Sequence, residues 1–282
     1  MNAVVRERII LTFLYLLTGA GVAVLFLILA IVIWKGGPSL GMDFLFSESR
    51  DFGLSGGIFY QAVGTVILMA GAVTICLPVA LGTALFQTEY LKSPRLKQVF
   101  RNLIYSLNGV PTILFGLVGY MVFGVLLDTG ISWLTGSLIL AVMILPTLEI
   151  SIQQAIESLP ENYREAGAAL GMSPWQQMQS IILPQSAYGI VTGILLGLAR
   201  AGGETAAIMF TATTFSGVLL PQSFSDPVPT LQTHILILAQ EAINPQAIAN
   251  AWGAGLVLIG MVLLLTMASL FLRSRVQMES ER

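Results

Sequence analysis

Ser158-Leu159-Pro160-Glu161-Asn162-Tyr163-Arg164-Glu165-Ala166-Gly167-Ala168-Ala169-Leu170-Gly171 is followed by Met172-Ser173-Pro174-Trp175-Gln176-Gln177-Met178-Gln179-Ser180-Ile181-Ile182-Leu183-Pro184. Residues 158–184 are the longest polar interruption among the apolar segments of the second half of the chain. Local signals predict two short capped helices. Ser158 and Glu161 have the S-x-x-E spacing of a capping box, with Pro160 tolerated in the first turn. Gly171 supplies a left-handed stop. Ser173 and Gln176 make a second box, with Pro174 at the first helical position. A short polar helix held between apolar segments has to dock onto something.

Those apolar segments set the fold class. The chain is 55% apolar and 10% charged, whereas soluble domains carry charge on about a quarter of their residues. An ordinary soluble domain is excluded. About twenty apolar residues cross the hydrocarbon layer as a helix. Six segments reach or approach that length: Ile9–Trp34, Gly57–Gln87, Ile104–Leu127, Ile131–Ile152, Ser186–Ala212 and Trp252–Leu272. The expectation is an all-α, polytopic membrane protein, a single membrane domain over residues 1–282 with six transmembrane helices. Pro78, Pro111 and Pro146 lie inside these spans, which a bundle tolerates where neighbours satisfy the freed carbonyls. The first segment is too long for a signal-peptide core and no small-residue cleavage site follows it, so it is expected to be retained.

Lys and Arg give the orientation. Arg6 and Arg8 precede the first span, Lys92, Arg95, Lys97 and Arg101 follow the second, and Arg273, Arg275 and Arg282 follow the last. The other side has Lys35 and Arg50 beside Asp43, Glu48 and Asp51. Both termini are therefore expected in the cytoplasm. The 158–184 loop, between spans four and five, falls there too, with Arg164 as its only cation. An acidic cytoplasmic loop fits a protein partner better than lipid headgroups. In the long outer connection, Leu231–Ala242 is too short to span and is expected as a re-entrant or interfacial helix.

Span five carries two patterns. Gly189, Gly193, Gly197 and Ala201 recur every four residues, a bare face that lets membrane helices approach closely. Arg200 and Glu204 form an i,i+4 pair about 100° around the helix from that stripe. They are the charges well inside a predicted span, and such residues face a partner or a water-filled path. Two readings stand: a self-satisfied structural ion pair, or an anion site built on the planar guanidinium. Asn108-Gly109-Val110-Pro111-Thr112 opens span three, where a Gly and a Pro at a helix start leave N–H groups for an anion or mark only a kinked packing helix. Glu149 is expected as a helix-end carboxylate reaching the headgroups.

Other chemistries find little footing. Gly53-Leu54-Ser55-Gly56-Gly57 matches a serine-nucleophile string, and His234 is the sole histidine. Ser55 has no preceding strand and His234 lies in a different outer segment, so a turn into span two is the better reading than a serine hydrolase. Cys76, the lone cysteine, reads as a small buried hydrophobe. One His and one Cys leave no basis for a metal site. None of Lys35, Lys92 and Lys97 follows a Gly, so there is no Walker A string, and any ATP hydrolysis belongs to another subunit.

The opening stretch also resembles the coupling loop of ABC import permeases: Glu165-Ala166-Gly167, then Gly171, then Ile181, Leu183 and Pro184 at the family's offsets, with Gly167 where Ala is usual. Further stretches resemble the phosphate-specific PstA and PstC permeases: Gly56-Gly57-Ile58, Val63-Gly64-Thr65, Leu77-Pro78-Val79-Ala80, Asn108–Gly116, and Arg200-Ala201-Gly202-Gly203-Glu204-Thr205-Ala206. Gly202 replaces the usual Ile. The resemblance covers residues 56–217, and Thr205-Ala206-Ala207 with Pro229-Thr230-Leu231 favours the PstA member. It implies a permease subunit for inorganic phosphate, or for another oxyanion or small solute, in the bacterial inner membrane. Tyr163, Arg164, Glu165, Ala166 and Gly171 would couple to an ATPase, and Arg200, Glu204, Asn108 and Thr112 would line the substrate pathway. The implied partners are a second permease of PstC type, two copies of an ATP-binding subunit gripping helix 159–170, an extracytoplasmic phosphate-binding protein and membrane lipid, with no nucleic acid. No cofactor is expected on this chain; ATP and Mg would serve the ATPase.

Overall fold

Apolar length decides where this chain runs straight, and Gly and Pro decide where it stops. The computed structural model describes residues 3–213, 220–240 and 244–280. The end of the 56–217 core, Ala242 and Arg282 lie outside the described residues, as do the side chains of Arg6, Arg273 and Arg275. Among the described residues, five helices are long and apolar enough to cross a membrane: Ile10–Ser39 (span one), Phe59–Tyr90 (two), Trp133–Glu157 (four), Pro174–Gly202 (five) and Pro245–Leu272 (six). Pro94–Asn108 and Thr112–Leu126 (span three) meet at 95° and make a sixth crossing if taken together. The all-α expectation holds; the exception among the described residues is a ribbon pairing Ser49 with Gly56 and Arg50 with Ser55.

Spans three and five differ most from the sequence expectation, and span six starts at Pro245, ahead of the expected Trp252. Span three does not run from Ile104. Pro111 has no N–H and drives Val110 out of the helical region, so the helix ends at Asn108 and restarts at Thr112. The preceding helix is an elbow with Leu96, Val99, Phe100, Leu103, Ile104 and Leu107 along one face and Arg95, Lys97 and Arg101 elsewhere. Span five starts at Pro174 and ends at Gly202, short of Ala212. The second expected short helix is thus the first turn of span five. A wide i→i+5 turn at Met178–Ile182 joins the two pieces just before Pro184, which has no N–H to donate.

Spans two and four form the centre, with span five packed on both. Leu68, Ile139, Leu140, Ile144, Leu148 and Ile152 are fully enclosed there. Membrane helices gain no hydrophobic force from meeting each other, so close approach of small residues has to supply the contact. Ala72, Ala80 and Ala84 of span two have no exposed surface. Span one leans on span six, and Phe13, Leu16 and Phe26 stay exposed, a surface suited to lipid tails. The helix Leu231–Gln240 buries Leu231, Gln232, Thr233, His234 and Leu238 against spans six and two. It is folded into the bundle and is too short to span, as expected.

Candidate functional site

The residues expected on the substrate pathway meet where spans three and five break. Gly202 and Gly203 follow Arg200; glycine is a poor helix former, and the helix stops there. The carbonyl of Gly202 accepts from Gln232 Nε2 at 2.6 Å, a partner from outside the helix for a carbonyl its own helix no longer serves. Glu204 consequently leaves the helical face. Among the described residues it forms no ion pair with Arg200, which corrects the expected i,i+4 pair. Its carboxylate instead lies beside the Thr112 hydroxyl at the start of span three, within electrostatic reach of Arg200.

Arg200 is held from two other directions. Its Nη1 donates to Asn108 Oδ1 at 3.1 Å and to Thr147 Oγ1 at 2.8 Å. Nε and Nη2 have no hydrogen-bond partner among the described residues. The guanidinium is therefore anchored by one nitrogen, with its two-donor edge uncommitted on a half-buried side chain. That edge matches two oxygens of one oxyanion. Arg200, Glu204, Asn108 and Thr112 are thus brought together, as the sequence grouped them. Thr147 and Gln232 were not foreseen. A polar residue directly after Pro146 was the available signal for Thr147. Gln232 is tied further to span two, since Thr65 Oγ1 lies 3.3 Å from Gln232 Oε1 and accepts from the Leu231 N–H at 3.0 Å.

In the 158–184 loop, Gly171 has φ +70° and Ser173 with Gln176 makes a complete capping box, as read. The first box is absent. Ser158 closes span four, its hydroxyl donating to the Ala155 carbonyl at 2.8 Å, so it is not available to cap the helix Glu161–Ala169, which Pro160 leads. Tyr163, Glu165, Ala166 and Gly171 are exposed. Leu170 and Trp175 are 74% and 57% exposed, an apolar surface on a polar loop. Arg164 points the other way, into an ion pair with Glu89 at 3.0 Å; hydrogen bonding to Glu89 raises its pKa above the ordinary arginine value. Gly167 is buried, and a Cβ there would sit 2.9 Å from Ile181 Cδ1 and 3.0 Å from Gln177 Cγ. The departure from Ala lets this helix settle closer to the foot of span five.

The glycine stripe of span five faces span four of the same chain. A Cβ on Gly189 would overlap Ala155 Cβ, one on Gly193 would lie 3.0 Å from Ser151 Cβ, and one on Gly197 3.6 Å from Leu148 Cδ1. Glu149 is not a headgroup carboxylate. It is 1% exposed and accepts from Gln87 Nε2 at 2.6 Å, because the turn Phe86–Tyr90 of span two covers it. Ser55 donates to Asp51 Oδ2 at 2.7 Å. The fold does bring His234 to this region, against Gly53, but the Ser55 hydroxyl is given to the carboxylate.

Residues 77–278 match the family described as binding-protein-dependent transport system inner membrane component. A probable ABC transporter permease protein, YqgI, of Bacillus subtilis is 28% identical over 283 residues, covering 96% of each chain. The phosphate transport system permease protein PstA 2 of Mycobacterium tuberculosis is 31% identical over 234 residues, 83% of this chain and 76% of that one. The PstA permease of Haemophilus influenzae is 30% identical, covering 88% and 87%. Among solved structures, a bacterial alginate ABC transporter in complex with its pentasaccharide-bound periplasmic protein aligns with a TM-score of 0.64 at 15% identity, over 96% of both chains. A span-rich chain with a capped loop between two of its spans and a family match across most of its length is a transport subunit: the protein belongs to the binding-protein-dependent transport system inner membrane components, as an ABC transporter permease.

Proposed function

We propose that this chain is the membrane permease subunit of an ATP-driven importer of inorganic phosphate, with both termini in the cytoplasm. The observation that carries the reading is the uncommitted edge of Arg200 beside Glu204 at two helix breaks. Near neutral pH phosphate keeps at least one proton. It can donate to the Glu204 carboxylate while two of its oxygens accept from Arg200. Sulfate has no proton to give and meets that carboxylate as a like charge. The relatives named as PstA and PstC permeases support the same substrate.

The rest of the machine follows from the exposed loop. Tyr163, Leu170 and Trp175 present apolar surface outside the spans, a docking surface for a protein. We assign it to a separate ATP-binding subunit, present in two copies and using ATP and Mg. A second permease of PstC type completes the channel, and an extracytoplasmic phosphate-binding protein delivers the anion. ATP-driven closure switches the pathway only if the ATPase binds the two permease states with different affinity.

The test is uptake of radiolabelled phosphate by the assembled complex in proteoliposomes, with binding protein on the outer side. ATP-dependent uptake that excess sulfate does not reduce is the expected result. Transport of sulfate or another solute in place of phosphate would leave the permease architecture and remove the substrate assignment.

A further inference from the structure

The helix Glu161–Ala169 turns one long side chain away from its exposed face. Arg164 Nη2 reaches Glu89 Oε1 at 3.0 Å and its Nε reaches Glu89 Oε2 at 3.5 Å. The same guanidinium donates to the Ile156 carbonyl at 3.2 Å and the Leu159 carbonyl at 3.3 Å, and Nη1 lies 3.4 Å from Glu161 Oε2. The Arg164 and Glu89 side chains are 21% and 18% exposed. A cation is favourable at a helix C-terminus, where carbonyls lack helical partners; here it closes the end of span four.

Glu89 sits in the wide i→i+5 turn Phe86–Tyr90 that ends span two. Such turns are frequent at functional sites, because they leave the regular helix ladder. Gln87, in the same turn, donates to Glu149 of span four at 2.6 Å. One turn therefore reaches in two directions, through Glu89 to the cytoplasmic-loop helix and through Gln87 to the middle of span four. The loop helix is otherwise attached by Ser158–Pro160, by Leu170–Ser173 and by the contact of Gly167 with Gln177 and Ile181.

We propose that Arg164 is a positioning residue: its bond to Glu89 clamps the loop helix to the end of span two, so that a push on the helix moves spans two and four instead of bending the connector. This rests on the reading of the chain as an ATP-driven permease. It separates the helix into an outward face for the ATPase (Tyr163, Glu165, Leu170) and an inward side chain that passes the motion on. A clamp made by this pair is lost when either partner is removed, so removing both should cost no more than removing one. Exchanging the charges is no test, because Arg164 also donates to the Ile156 and Leu159 carbonyls and lies against Glu161.

The experiment uses the assembled transporter with R164M, E89Q and the double variant R164M/E89Q. The readouts are ATPase pull-down, phosphate moved per ATP hydrolysed, and the distance between spin labels at Asn162→Cys and Tyr90→Cys. Cys76 is buried and stays in place. Each single substitution should keep the ATPase in pull-down and lower phosphate moved per ATP about tenfold, the effect of a lost interaction of ordinary size. The double variant should lower it no further than R164M alone. The label distance should be the same with and without ATP in the wild type, and broad in all three variants. A wild-type distance that changes with ATP, single variants that keep the wild-type ratio, a double variant whose loss is the product of the two single losses, or loss of the ATPase from either single variant would each overturn the clamp. The label distance needs no knowledge of the substrate, so a wild type that moves no phosphate rejects the substrate reading while the clamp is still decided.

Discussion

Replacing Arg200 by Lys removes planarity and keeps charge. In the wild type, Nη1 spends its two protons on Asn108 and Thr147, leaving Nε and Nη2 for the proposed anion. A lysine ammonium carries three protons on one atom. If it keeps both anchors it offers one donor to an oxyanion where Arg200 offers two; if it turns to the anion it abandons Asn108 or Thr147. Either way one charge-assisted hydrogen bond is lost, worth about 1.5–3 kcal/mol. Each 1.4 kcal/mol is tenfold in rate, so ATP-driven phosphate uptake should fall by roughly ten- to a hundredfold. Uptake by the assembled complex in proteoliposomes measures it, with ATPase pull-down as the control for folding. Wild-type uptake in R200K would show that the guanidinium edge meets no substrate, and Arg200 would become a brace between spans three, four and five.

Glu204→Gln keeps size and removes the strong acceptor: phosphate uptake should fall by about tenfold, and inhibition by sulfate should appear; unchanged selectivity would take Glu204 off the pathway. Gly193→Leu places bulk 3.0 Å from Ser151 Cβ, and such overpacking typically costs about 1–3 kcal/mol. A lowered melting temperature in detergent is expected, and an unchanged one would mean spans four and five part easily. Gln232→Leu strips the Gly202 carbonyl of its donor, at about 1–3 kcal/mol for a buried group left unpaired; both thermal stability and uptake should drop, and normal uptake would detach the Leu231–Gln240 helix from the site. Gly171→Val must adopt φ +70° at about 1–2 kcal/mol, so the inserted chain should retain less ATPase in pull-down, whereas full retention would show that the helix stop does not place the docking face.

The sequence carried its local features well. Gly171, the box of Ser173 with Gln176, and the spacing of the apolar segments depend on residues a few positions apart, and the structure repeats them. It failed where one element terminates another. Ser158 looked like a helix start, yet its hydroxyl goes to Ala155 behind it. Arg200 and Glu204 had helical spacing, yet Gln232, thirty residues away in sequence, takes the Gly202 carbonyl and the helix ends between them. Glu149 stood near the end of an apolar run, yet a turn of span two covers it. Thr147 gave no signal beyond its place after Pro146. Two of these failures involve a side chain from a distant segment, Gln232 on the Gly202 carbonyl and Gln87 on the Glu149 carboxylate, and hydrophobic periodicity is blind to that.

The same physics explains why the functional groups gather at breaks. In hydrocarbon an unpaired carbonyl or N–H costs several kcal/mol, so a span can unwind only where polar side chains stand ready. The end of span five is met by Gln232 and, through it, Thr65; the start of span three is met by Thr112 facing Glu204, with Asn108 holding Arg200. Those polar partners also make the region hospitable to an anion, so structural and functional demands select the same residues. Away from the Arg200–Thr147 hydrogen bond at the break, the glycine face of span five meets Ala155, Ser151 and Leu148 of span four through shape alone. Helices joined this way can shift as bodies while the φ/ψ change falls on residues 109–111 and 203–205, which lie between the helices. On the proposed reading, a permease that opens alternately to two sides would carry its substrate groups, Arg200 and Glu204, on either side of one of these breaks.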